Sequence, residues 1–217
     1  MTTAEAIAAT GGLSSPSKMP GFSYGLPVHS CLTGSRMRGV EGSVCHHCYA
    51  CKGRYTFPVV VKAAERRLAK LNRDDWIDGM VTLIERDACP DFRFHDTGDI
   101  QSVSHLERIA EVARRLPHRR FRLPTLEFKM VHTWLAGYPA PDNLFIRLSA
   151  PMIDQPVPPH YWTMRRVLAG FSRVTTDPAK IIARDELLCP ATTTRNACED
   201  CRACWERAYD TIVYLKH

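Results

Sequence analysis

Long apolar runs are missing from this 217-residue sequence. The longest near the N-terminus, Phe57 to Val61, falls far short of the roughly 18 residues that a membrane span needs. The opening MTTAEAIAATGG has neither a basic lead nor a long apolar stretch, so no secretory signal is expected and the chain should stay in the cytoplasm. An acidic excess is missing as well. The formal net charge of +6 permits a polyanionic partner, such as nucleic acid or a nucleotide, without requiring one. The densest basic stretch, Arg114 to Arg122, reads equally as a solvated helix end and strand edge. With 45% apolar residues the chain can bury a substantial core, which suits one domain better than two.

Cysteine, by contrast, is plentiful, and its placement is uneven. Cys31, Cys45, Cys48 and Cys51 stand near the start; Cys189, Cys198, Cys201 and Cys204 stand near the end; Cys89 lies alone. In a reducing compartment disulfides are rare, so such clusters point to metal or redox chemistry.

The chain divides on composition. Residues 1–20 are small and polar and read as a flexible arm, ahead of a single α/β domain over 21–217. Within that domain a cluster loop is expected at 27–55, ordered by metal more than by a hydrophobic face. A βα core is expected at 56–185 and a cysteine segment at 186–217. Apolar spacing predicts helices over Val59 to Leu71 and from a cap at Asn72 or Asp74 through Ile84. Further helices are predicted from Ser102 or Ser104 to Leu116, over Phe128 to Leu135, and over Tyr161 to Leu168. Strands are predicted at Phe92 to His95, Arg120 to Leu123, Asn143 to Leu148, Phe171 to Thr175 and Asp210 to Leu215. Alternation of this kind argues for βαβ units, hence a partial (βα) barrel or an open parallel sheet with cysteine-rich metal-binding loops near both termini.

The motif Cys45-x2-Cys48-x2-Cys51 recurs as Cys198-x2-Cys201-x2-Cys204. Three thiolates at this spacing suit three corners of an iron–sulfur cube, with a remote cysteine, often followed by proline, as the fourth ligand. Cys31 is the natural partner of the first triplet; Cys189-Pro190 has the remote form for the second, and Cys89-Pro90 shares it. One or two [4Fe-4S] clusters are therefore expected. Structural zinc is the alternative, although its cysteines usually come as two separated pairs. His29, His46 and His47 flank the first set and could ligate or shape its surroundings.

A second motif, FRFHDTGD, joins a strand to a turn carrying His95, Asp96 and Asp99. Ligands of alternating sheets bind at the carboxyl ends of strands, and these carboxylates could accept bonds from an amine or from ribose hydroxyls. The turn could instead simply cap the next helix. Thr125 and Glu127, then Arg147 and Ser149, stand at the next two strand ends and join the candidates.

The set CYACKGRY, HDTGD and the C-terminal CxxCxxC-Trp resembles the actinobacteriophage family called gene product 88, over about Pro27 to Trp205. The resemblance implies a phage protein working in a bacterial cytoplasm, and it supplies no activity. A weaker similarity is to radical S-adenosylmethionine enzymes, which place a cluster loop early and a polar Gly-containing turn after the second strand. It implies that Asp96 and Asp99 contact the methionyl amine of S-adenosylmethionine. Those enzymes space their cysteines x3 then x2, whereas this sequence has x2 and x2, and a fourth ligand at Cys31 would leave no iron open. Three functions follow as expectations: a radical-type enzyme acting on a nucleotide or nucleic acid; a non-catalytic iron–sulfur protein for structure, electron transfer or host-protein binding; and a structural zinc module binding nucleic acid.

Overall fold

The computed structural model describes residues 1–165, 168–180 and 185–216. Seven strands form one sheet: β1 (Ser23–Tyr24), β2 (Asp91–Phe94), β3 (Arg120–Thr125), β4 (Leu144–Ser149), β5 (Gly170–Thr175), β6 (Glu186–Leu188) and β7 (Thr211–Leu215). Their order is β1-β2-β3-β4-β5-β7-β6 and every pairing is parallel. The sheet is open, with β1 and β6 at its edges, so the open-sheet alternative holds and no barrel closes.

Helices α1 (Thr3–Thr10), α2 (Leu32–Met37), α3 (Pro58–Leu68), α4 (Trp76–Glu85), α5 (Val103–Arg115) and α6 (Phe128–Gly137) complete the regular structure. Ser102 caps α5, its hydroxyl accepting from the His105 N–H at 2.9 Å, so the Thr97-Gly98-Asp99 turn is not that helix's cap. The core lies between the sheet and α4, α5 and α6. Phe92, Phe94, Phe121, Leu123, Ile146 and Phe171 face Trp76, Met80, Leu106, Ile109 and Trp134 there.

Several expectations are corrected. The segment read as a loose arm contains α1, which buries Ala6, Ala9 and Thr10 against α4. Thr2 and Glu5 make a reciprocal capping box at its start, and Gly11 (φ 85°) ends it. The cluster loop holds α2, the unexpected strand β1 precedes it, and β6 is added beside β7. The helix expected over Tyr161 to Leu168 is a 3-10 turn, Pro159–Met164, and residues 166–167 fall outside those described.

A parallel sheet is normally covered on both faces. Here the second face is covered by the C-terminal cysteine segment. Trp205, almost fully buried, donates its indole N–H to the Phe92 carbonyl at 3.0 Å, and Ala203, Cys204, Trp205 and Ile212 form a small apolar cluster with Cys189, Cys201 and Tyr214 around it. Arg147 is fully buried on that face. Its guanidinium donates to the carbonyls of Glu206 (2.7 Å), Ala203 (3.1 Å) and Tyr209 (3.1 Å), and so fastens 203–209 to β4.

Candidate metal centre

The N-terminal cysteine loop arches over the carboxyl ends of β2, β3 and β4. Three strand ends hold it. The Tyr49 hydroxyl donates to the Asp96 carbonyl after β2. Glu127, after β3, accepts from the Thr33 N–H at 2.7 Å and the Thr33 hydroxyl at 2.8 Å, which caps the first turn of α2 with a carboxylate. After β4, Val44 N–H donates to the Pro151 carbonyl at 2.9 Å, and Ile153 N–H to the Gly42 carbonyl at 2.9 Å.

Cys31 occupies the N-cap position of α2, and Cys45 faces it across Gly34. A Cβ on Gly34 would stand 2.9 Å from Cys31 Cβ and 3.5 Å from Cys45 Sγ, so only glycine leaves that space between the thiols. Burial pushes the Cys31 thiol up to about 12, with Asp99, Cys48 and Cys45 adding to it and Arg38 opposing. Cys45 rises to about 12 for the same reasons, burial first. Cys48 is raised by burial and by Cys51, whereas Cys51 itself is exposed. Thiols crowded with a carboxyl in this way stay protonated until a cation joins them. A bound iron or zinc ion would supply that charge.

The C-terminal set lies on the sheet face beneath Trp205. Cys189 follows β6, its N–H bonded to the Val213 carbonyl at 2.8 Å, and Cys198 N–H reaches the Lys18 carbonyl at 3.0 Å. Cys204 Sγ is 3.3 Å from the Tyr214 hydroxyl. Burial raises the Cys189 and Cys198 thiols, the neighbouring thiols raise them further, and Arg122 pulls both down. All nine cysteines are free thiols. Among the described residues no group of three or more His, Cys, Asp or Glu side chains could hold a metal ion in the positions they take here. The donor chemistry of each set nevertheless fits a tetrathiolate centre: four cysteines at the spacing iron–sulfur ligation uses.

The solitary Cys89 is held at the amino end of β2, where its N–H meets Asp87 at 3.0 Å and its carbonyl meets Arg119 at 2.6 Å. His29 pairs with Glu65 at 3.4 Å, and His46 Nδ1 lies 3.0 Å from the Arg38 carbonyl.

The strand-end motif resolves into different roles. His95 has a left-handed backbone (φ 59°), which turns its imidazole into the helix layer against Phe94 and His105. Neither ring nitrogen has a partner, and burial pushes its basicity well down. Asp99 is fully engaged, accepting from the Thr125 hydroxyl (2.6 Å), Leu126 N–H (2.9 Å) and Ile100 N–H (2.8 Å). Burial still raises it to about 7. Asp96 is buried with Oδ1 unpartnered beside Gly25. Gly98 (φ 77°) lets the turn press on Leu26. The motif therefore braces the cysteine loop, and Arg147 serves the second face instead of a strand-end pocket. Ser149 lies there too, its Oγ 3.1 Å from that of Ser172. A cleft of about 700 Å³ lined by Trp162, Arg165, Asp185 and Asp210 has no cysteine in its wall.

The Arg114 to Arg122 stretch is engaged internally. Arg114 pairs with Glu107 and Glu111, Arg115 with Asp78, and Arg120 with Asp91. Sequence reasoning missed Tyr49, Arg93, Arg122, Trp205 and Tyr214 as neighbours of the cysteines. The signal was an arginine inside each of three otherwise apolar strands, in FRF, RFRL and FIRL.

No helix among the described residues is long and apolar enough to cross a membrane. Searches of curated proteins and of solved structures return no match. The family model described as Gene product 88 matches residues 1–207, and the chain belongs to that family.

Proposed function

We propose that this chain is an iron–sulfur protein that holds a [4Fe-4S] cluster at each cysteine set. Cys31, Cys45, Cys48 and Cys51 would hold one, and Cys189, Cys198, Cys201 and Cys204 the other. The observation that carries the reading is convergence. Segments well over a hundred residues apart bring two four-cysteine sets to the carboxyl ends and one face of a single sheet, and no thiol is in a disulfide. Such centres supply one-electron chemistry or a rigid cross-link, and a reducing phage-host cytoplasm would keep the thiols available. Anaerobic purification with iron, sulfide and zinc measured per chain tests it. About eight irons and eight sulfides support the reading, and zinc alone or neither element sinks it.

A second reading, chemistry with S-adenosylmethionine on a radical-enzyme-like sheet, has one observation in its favour. Asp96 keeps a buried, unpartnered carboxylate oxygen beside the N-terminal set, whereas Asp99 has none to offer. It requires that Cys31→Ala still assemble a cluster and that the reduced protein cleave the cofactor; failure of either removes it.

A further inference from the structure

On β3 the side chains alternate between the two faces. Phe121 and Leu123 enter the helix-covered core, so Arg122 between them must enter the face covered by the C-terminal cysteines. There it is 6% exposed. A buried guanidinium needs an anion or a full set of acceptors, and the arginines that flank it on this face are better supplied. Arg120 and Arg202 share Asp91, Arg173 holds Glu186 at 2.7 Å, and Arg147, although its Nε has no partner, donates from both terminal nitrogens to main-chain carbonyls. Arg122 has neither. Its hydrogen bond is to the Tyr214 hydroxyl at 2.5 Å, its Nε has no partner, and it lies 5.6 Å from the Trp205 ring and 5.9 Å from that of Tyr214. Among the described residues no carboxylate is paired with it.

Beyond those aromatic groups lies sulfur. The Tyr214 hydroxyl that it bonds is the one 3.3 Å from Cys204 Sγ, and Cys198 is also near enough to feel its charge. Arg93, registered opposite Arg122 on β2, adds a second positive charge felt at Cys198. The N-terminal set is built differently: a carboxyl, Asp99, is near enough to raise the Cys31 and Cys45 thiols, and Arg38 opposes it.

We propose that Arg122 is the built-in counter-charge of the C-terminal metal centre, and that it holds this centre at a higher reduction potential than the N-terminal one. The inference deepens the iron–sulfur reading and depends on it. Four thiolates around a cluster carry net negative charge, and each added electron increases it. A desolvated cation beside the sulfurs favours the reduced form, as do hydrogen bonds delivered to the sulfurs through Tyr214. Asp99, in its ionised form, acts in the opposite sense at the other set. Arg122 is thus a positioning residue for charge and touches no reacting atom.

The test is an electron-paramagnetic-resonance redox titration of anaerobically reconstituted protein. The wild type should show two midpoints, and Cys198→Ala should abolish the higher one. In Arg122→Gln the higher midpoint should fall by at least a tenfold change in the reduction equilibrium, ~59 mV for one electron, while the lower stays in place. Arg122→Lys should restore most of the shift. If Arg122→Gln does not fold, Tyr214→Phe supplies the second variant and should lower the same midpoint. Unchanged midpoints in fully loaded Arg122→Gln or Tyr214→Phe overturn this inference alone. Wild-type protein lacking iron and sulfide overturns it together with the reading beneath it.

Discussion

Replacing Arg147 with methionine should release the C-terminal cysteine segment from the sheet while leaving the helix-side core in place. Methionine fills much of the buried stem but donates nothing. Three main-chain carbonyls, of Ala203, Glu206 and Tyr209, would lose bonds of 3.1, 2.7 and 3.1 Å, and a longer one of 3.5 Å to Phe171 would go as well. A hydrogen bond from a charged donor contributes roughly 1.5–3 kcal/mol. Removing the guanidinium also relieves the cost of burying a charge, so the sum must be reduced. The net loss should come to about 3–5 kcal/mol. Urea unfolding measures it, and amide exchange localises it: residues 203–209 should lose protection, with α4 and α5 little changed. Arg147→Lys, which can satisfy fewer of these acceptors, should fall between. A loss under about 1 kcal/mol with unchanged exchange at 203–209 would refute the role given to Arg147.

Acid should weaken the fold through its buried imidazoles. Burial depresses His105 to about 3 and pushes His95 well down, so both are neutral when folded and take up protons when unfolded below the usual value near 6.5. Stability is therefore whole above that value and is lost as pH falls toward the folded one. Between pH 7 and 5 each imidazole should remove about 2 kcal/mol, while Asp99, raised to about 7, takes up a proton when folded and offsets part of that loss. His105→Gln should therefore gain about 2 kcal/mol on the wild type at pH 5 relative to pH 7, and an unchanged pH dependence in that variant contradicts the assignment. Gly98→Ala sets a Cβ 2.5 Å from Leu26 Cβ at φ 77° and should cost about 2–4 kcal/mol. Gly53→Ala, at φ 62° with nothing within 4 Å, should cost only about 1 kcal/mol by thermal unfolding. Equal costs at the two sites would show that packing at Leu26 is not the cause.

Much of the framework was legible because it follows local rules. The apolar stripe of α5 and its Ser102 cap, the stop at Pro117, and the short strands between helices are readable from spacing alone. The Thr2–Glu5 capping box was equally readable, and it marks a helix where low hydrophobicity suggested an arm. The two residues of β1 carry too little pattern to be seen; they form because β2 offers an unpaired edge. His95 could not be placed from alternation, since its left-handed backbone reverses the face that a strand end predicts.

Residue identity and spacing alone settled that this chain alternates strands with helices and carries two tight cysteine triplets, because hydrophobic period and ligand spacing are properties of neighbours along the chain. Only the folded sheet decided what stands beside those cysteines. Asp99 comes to the N-terminal set and Arg122 to the C-terminal set through parallel pairing of strands far apart in sequence. Arg147 became a clasp for the same reason: which carbonyls a buried guanidinium meets depends on the segment laid across it, and nothing within a few residues of Arg147 encodes that contact.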